Sequence, residues 1–209
     1  MVEKAFLKFL KNIFSDKTVN VYVMMGLPGS GKDTFLARIL ALNADAVSIY
    51  DSNNEWHKIC LKSYNEKLPV VLSRDDIRSE IGLCKAGDKC VGTKSEENRV
   101  TEIFNERLLR FANENRVIFI NNINLHKWNR DKIHEVLDSA NIKYKLTIIY
   151  IEAPSFADNI SRRQDQISEN VLTKMKNTMN WPRQSEYDDL IILRNFNVNE
   201  LILRISSTI

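Results

Sequence analysis

The chain has 209 residues, 44% of them hydrophobic and 27% charged. That balance excludes disorder and collagen-like repeats, and it supplies one sizeable core rather than two full domains. Thirty basic against 27 acidic residues leave a formal charge of +3, which admits a polyanionic partner without requiring one. The six glycines are well under the usual share of about 7%, and three of them, Gly26, Gly29 and Gly31, fall in one short stretch. Glycine concentrated in this way signals unusual backbone there.

Residues 1–14 carry Phe6, Leu7, Phe9, Leu10, Ile13 and Phe14, interrupted at helical spacing by Lys4, Lys8 and Lys11. This reads as an amphipathic helix within residues 1–18, with its apolar face packed on the domain, and not as a signal peptide with an unbroken apolar centre. No segment approaches the ~20 apolar residues of a membrane span, so no membrane partner is expected. Residues 19–209 read as one domain. Short β-branched runs at 19–25, 70–73, 117–120, 146–151 and 190–193 predict strands. The stripes Val100, Ile103, Phe104, Leu108, Phe111, Ala112 and Trp128, Ile133, Val136, Leu137, Ala140 predict core-facing helices between them. Strands alternating with crossover helices imply an α/β fold, a three-layer sandwich around a mostly parallel five-stranded sheet. Residues 43–69 and 83–93 stand out as insertions, the second as a mobile loop near the active edge. Three cysteines, Cys60, Cys84 and Cys90, predict reduced thiols in a cytoplasmic setting.

The stretch Gly26-Leu27-Pro28-Gly29-Ser30-Gly31-Lys32-Asp33-Thr34 follows a predicted strand and opens a predicted helix. This is the context of a phosphate-binding P-loop, with inward backbone N–H groups, a positive helix terminus, and a lysine that reaches the β- and γ-phosphates. ATP is the expected cofactor, with Mg²⁺. The residue after the lysine is Asp33 where a serine or threonine is usual. A carboxylate is a good magnesium ligand, so Asp33 is the metal candidate, with Thr34 beside it. After the second predicted strand comes Ser73-Arg74-Asp75-Asp76-Ile77-Arg78. Loops at the carboxyl ends of parallel strands line the ligand crevice. There Asp75 is placed to accept the proton of an attacking hydroxyl, and Arg78, one turn on, to hold an anionic group of the acceptor.

A G-x-P-G-S-G-K loop followed by R-D-D-x-R after the next strand resembles the phage-type polynucleotide 5′-hydroxyl kinases and the small P-loop kinases around them, over residues 21–193. The resemblance implies that Asp75 is the general base and that Arg78 contacts the acceptor's 3′-phosphate. It implies lid arginines after the fourth predicted strand, where Arg162 and Arg163 stand. Where the family carries Asp-Thr-Asn, this chain has Asn122-Ile123-Asn124. Asn124 matches, and Asn122 replaces the acid with an amide that can hydrogen-bond but cannot act as a base, so an exchange of roles between Asp33 and Asn122 is expected. The resemblance thus implies ATP-dependent transfer of a phosphoryl group to a nucleic acid 5′-hydroxyl, with Arg74, Asp76, Arg78, Asn122 and Asn124 toward the acceptor. Two alternatives stand beside it: a kinase for a small acceptor such as a nucleotide or nucleoside, and a nucleotide-binding module that has lost transfer.

Overall fold

A computed structural model describes residues 18–42, 44–63, 67–83, 92–162, 167–197, 199, 201 and 203–206. The expected N-terminal helix, Cys84, Cys90 and Arg163 lie outside the described residues. Five parallel strands form the main sheet: β1 (Val19–Met25), β4 (Val70–Leu72), β5 (Ile118–Asn121), β6 (Tyr144–Ile151) and β7 (Asp189–Leu193), in the order β4-β5-β1-β6-β7. β1 sits at the centre, pairing with β6 from Val19↔Tyr144 to Met25↔Tyr150. The five expected strands are present, with bounds shifted by a residue or two at most.

The alternation of side chains along β1 divides the core into two layers. Val19, Val21, Val23 and Met25 point to one face. There they meet Ile77 of α2 (Arg74–Glu80), Val100, Phe104 and Leu108 of α3 (Lys94–Asn113), and Ile133 and Leu137 of α4 (Lys127–Ser139). Tyr22 and Met24 point to the other face, toward Phe35, Leu36 and Ile39 of α1 (Lys32–Leu40). That second outer layer differs from a plain helical layer. The 43–69 insertion folds into β2 (Ala46–Tyr50) and β3 (Trp56–Cys60), and β8 (Leu203–Ser206) completes an antiparallel sheet ordered β3-β2-β8. Val47, Ile49 and Ile59 of this small sheet share a core with α1.

Polar contacts join the two sheets. The Cys60 N–H donates to the Tyr22 hydroxyl at 2.7 Å, and burial raises the Tyr22 phenol far above its ordinary pKa. His57 Nδ1 lies 3.1 Å from Asp189 Oδ1, while the buried Asp51 accepts the Ile192 N–H at 3.2 Å. Two further helices, α5 (Phe156–Ser161) and α6 (Glu169–Asn177), follow β6.

Candidate functional site

The loops leaving β1, β4, β5 and β6 converge at the carboxyl edge of the main sheet. After β1 the chain turns through residues 26–31 and enters α1 at Lys32, with Gly31 as the N-cap at φ 103°. Gly29 has φ 73°, and a Cβ there would lie 2.1 Å from the carbonyl oxygen of Asn159, so both conformation and space demand glycine. Asn159, buried on α5, donates from Nδ2 to the Pro28 carbonyl at 2.8 Å. Arg162 donates to the Ser30 carbonyl at 3.4 Å and to the Phe196 carbonyl at 3.3 Å. The loop is therefore clamped from outside by α5 and the residue that follows it, while the Ser30 N–H closes a turn onto the Leu27 carbonyl at 3.1 Å. Lys32 Nζ donates to the carbonyls of Gly26 and Leu27, both at 2.9 Å, so the ammonium lies across the mouth of the loop. Ser30 is buried and its Oγ has no hydrogen-bond partner among the described residues. A buried hydroxyl without a partner is a cost that a bound polar ligand or water would relieve. Beside the loop is a cleft of about 320 Å³, lined by Leu27, Ser30, Glu152, Phe156, Asn159 and Lys176.

Asp33 and Thr34 are exposed on the first turn of α1. Asp33 Oδ1 accepts from Asn121 Nδ2 at 2.5 Å. Its partner is thus Asn121, the last residue of β5, which precedes the expected site residue Asn122. Asn122 instead accepts the Arg74 N–H at 2.9 Å, which pins the start of α2. Asn124 is buried, adopts φ 50°, and donates from Nδ2 to the Met24 carbonyl at 2.8 Å. The neighbouring Ile123 carbonyl accepts the Gly26 N–H at 3.2 Å. This loop is therefore the strut between the P-loop and α2.

On α2, Ser73 caps the helix, accepting from the N–H groups of Asp75 at 3.1 Å and Asp76 at 3.3 Å. The Asp75 side chain is 81% exposed and accepts from Arg78 Nη1 at 2.6 Å. Arg78 is also held in a fork by Glu97 of α3: Nε donates to Oε1 at 2.9 Å and Nη2 to Oε2 at 2.8 Å. These bonds hold the Glu97 carboxyl below the ordinary carboxylate range and raise Arg78 above its own. Glu97 is itself placed by a capping box in which Thr93 and Glu96 satisfy each other at the start of α3. Arg74 turns onto α3, donating to Thr101 Oγ1 at 2.9 Å and covering the Phe104 ring, so its side chain serves helix packing. Partial burial, together with the carboxylates of Asp75, Glu80 and Asp33, pushes the Asp76 carboxyl up.

Beneath this edge, the fully buried Arg130 pairs with Glu186 at 2.8 Å and donates to the carbonyls of Asn124, Leu125 and Asn180. It locks the 122–125 strut to the 180–186 segment. The structure thus brings Lys32, Asp33, Asp75, Asp76, Arg78 and Arg162 to one edge. The residues that sequence reasoning missed are Asn121, Asn159 and Glu97. None carries a motif of its own, since each acts through a contact between elements far apart in the chain.

The topology, the glycine-rich turn and the lysine define an α/β P-loop domain of the kinase-like kind, a fold that implies nucleotide binding. Residues 21–182 match the family described as an AAA domain, and the chain belongs to that family. A search of curated proteins finds no match. Among solved structures, the chain is similar to a sugar kinase from Janibacter sp. HTCC2649, at 15% identity and a TM-score of 0.52, covering 85% of this chain and 86% of that one. It is also similar to a chain of the Pnkp1/Rnl/Hen1 RNA repair complex, at 14% identity and a TM-score of 0.50, covering 77% of this chain but only 45% of that one. Among the described residues no helix is long and apolar enough to cross a membrane.

Proposed function

We propose that the protein is an ATP-dependent kinase that phosphorylates the 5′-hydroxyl end of a nucleic acid. The observation that carries this reading is Asp75, an exposed carboxylate bridged to Arg78 and joined to the P-loop edge through the Asn122 strut. A fold shared by a sugar kinase and by a chain of an RNA repair complex does not by itself name an acceptor. The choice of acceptor therefore rests on Asp75 and Arg78 in the R-D-D-x-R pattern.

The loop N–H groups and Lys32 bind the donor's phosphates, with Lys32 leaving the carbonyls of Gly26 and Leu27 for the stronger negative charge. Asp75 accepts the proton of the attacking hydroxyl. The hydroxyl oxygen forms a bond to the γ-phosphorus as the bond from that phosphorus to its bridging oxygen breaks, and ADP leaves with that electron pair. Arg78, oriented by Glu97, holds an anionic group of the acceptor. Arg162, already touching the loop at the Ser30 carbonyl, stabilises charge on the transferring group.

Asp33 suits Mg²⁺, being an exposed carboxylate at the end of the phosphate loop whose field reaches a second carboxylate, Asp76. Asp33 would hold Mg²⁺ there, and the ion would supply neutralisation of the donor's phosphate charge. Asn122 and Asn124 take positioning roles in this reading, holding α2 and β1 in register.

The test is incubation with γ-labelled ATP and Mg²⁺ together with 5′-hydroxyl oligonucleotides or a panel of nucleosides, nucleotides and sugars. Label on the oligonucleotide is expected. Label confined to small acceptors would overturn the nucleic acid reading, and binding of ATP with no transfer to any acceptor would overturn the kinase reading.

A further inference from the structure

Just past the 122–125 strut, His126 and Trp128 form an aromatic pair that no catalytic step uses. Trp128, expected in the core-facing stripe of α4, is instead 62% exposed in that helix's first turn, where the buried positions are Arg130, Ile133 and Leu137. Its ring lies nearly parallel to that of His126, with centroids 6.3 Å apart and planes 12° apart. Ile123, in the same loop, and Trp181 are also exposed. Trp181 is adjacent because the preceding residue, Asn180, donates its N–H to the Leu125 carbonyl at 2.9 Å and accepts the Lys127 N–H on its side chain at 3.1 Å. Exposed large apolar side chains gathered at one place mark an interaction surface. This one lies on the carboxyl edge of the sheet, in the segment that follows Asn121, which bonds Asp33, and Asn122, which bonds the start of α2.

We propose that Trp128, backed by His126, is a stacking platform for a base of the single-stranded acceptor beyond its reacting end. This inference rests on the nucleic acid reading above and names how the polymer is told from a small acceptor. The chemistry at the start of α4 favours a base over a phosphate group. Lys127 is neutralised by Asp131 at 2.6 Å, and Lys132 pairs with Glu135. The start of α4 therefore offers ring faces and little net charge. A tryptophan face accepts any base, because every base has a π-face, so the platform adds affinity without sequence preference. Because it does not act through phosphate neutralisation, its contribution does not carry the steep salt dependence of basic contacts.

The experiment compares the full chain with Trp128→Ala and Trp128→Phe. Binding of a fluorescent ten-nucleotide 5′-hydroxyl single strand is measured by anisotropy without ATP, and turnover is measured with that strand and with a nucleoside 3′-monophosphate. Trp128→Ala is expected to weaken binding and raise the oligonucleotide KM by roughly 5- to 100-fold, equally at low and moderate salt. The KM for the nucleoside 3′-monophosphate should stay within about twofold, and Trp128→Phe should retain most of the binding. Unchanged oligonucleotide binding in Trp128→Ala, or an equal loss with both acceptors, would overturn the platform. So would a dimer of the wild-type chain that Trp128→Ala dissolves, which would assign the patch to a second copy. Wild-type binding of the strand that depends on Trp128, with no phosphoryl transfer to it, would instead overturn the kinase reading and leave the platform standing.

Discussion

Replacing Glu97 with glutamine tests whether the fork on Arg78 positions the acceptor side of the site. Arg78 makes two bonds to Glu97, at 2.9 and 2.8 Å, and one to Asp75, at 2.6 Å. The Arg78 side chain is 18% exposed and that of Glu97 33%. Glutamine keeps one acceptor oxygen and loses the charge, so one charge-assisted bond, about 1.5–3 kcal/mol when well sheltered, is lost or reduced to an ordinary one. Solvent screening at this depth brings the stability cost to about 1–2 kcal/mol. The larger effect is on activity. An Arg78 released from Glu97 turns more fully onto Asp75, which misplaces the acceptor's anchor and occupies the base. A fall of roughly 10- to 100-fold in kcat/KM for the acceptor is expected, equivalent to about 1.4–2.8 kcal/mol of transition-state stabilisation, with the KM for ATP unchanged. Steady-state kinetics varying each substrate in turn reads this directly. The pH dependence adds a second check. Glu97 has its carboxyl held below the ordinary value of 4.5, so the stability it contributes is fully present above about pH 4.5 and is lost as pH falls through the lower folded value. The stability gap between wild type and Glu97→Gln should therefore be constant at neutral pH and close in acid. A variant with unaltered acceptor kinetics, or a gap that opens in acid, would refute the positioning role.

Three further outcomes follow from the same geometry. Gly29→Ala forces a Cβ to within 2.1 Å of the Asn159 carbonyl oxygen at φ 73°, and should cost about 2 kcal/mol or more together with most ATP binding, read by thermal melting and calorimetry. Glu186→Gln strands the buried Arg130 at a cost of about 3–5 kcal/mol, a fall in Tm of roughly 6–20 °C. A double variant with apolar residues at both positions should recover much of that loss. Asp33→Asn should raise the Mg²⁺ concentration needed for half-maximal turnover, and for tight ATP binding by calorimetry, by roughly tenfold; an unchanged Mg²⁺ titration would remove Asp33 from the metal's surroundings.

Much of the fold is legible in the sequence because its main sheet is parallel and buried on both faces, which writes each strand as a dense β-branched run such as 19–25 or 146–151. The P-loop is legible for a different reason: its glycines are required by local backbone, and local requirements leave local signals. The small antiparallel sheet is not legible. β2 and β3 are short and set among polar residues, and β8 pairs with β2 across most of the chain, with Ala46 opposite Ser206, a partnership that no local pattern records. The site divides along the same line. Lys32, Asp75 and Arg78 sit in contiguous motifs, whereas Glu97, Asn121 and Asn159 act only through tertiary contacts. Asn122 stands where the resemblance places an acid, and its amide oxygen accepts the Arg74 N–H, a tertiary contact that the motif alone does not reveal.

Whether Asp75 is the base of a phosphoryl transfer beside the P-loop is decided by measuring ATP binding and phosphorylation of a 5′-hydroxyl oligonucleotide side by side for wild type and Asp75→Asn. The wild type should label the oligonucleotide. In the variant, ATP affinity should remain within about twofold while turnover falls by roughly 10²- to 10⁴-fold, the contribution expected of a positioned general base. Undiminished transfer by Asp75→Asn would contradict that role.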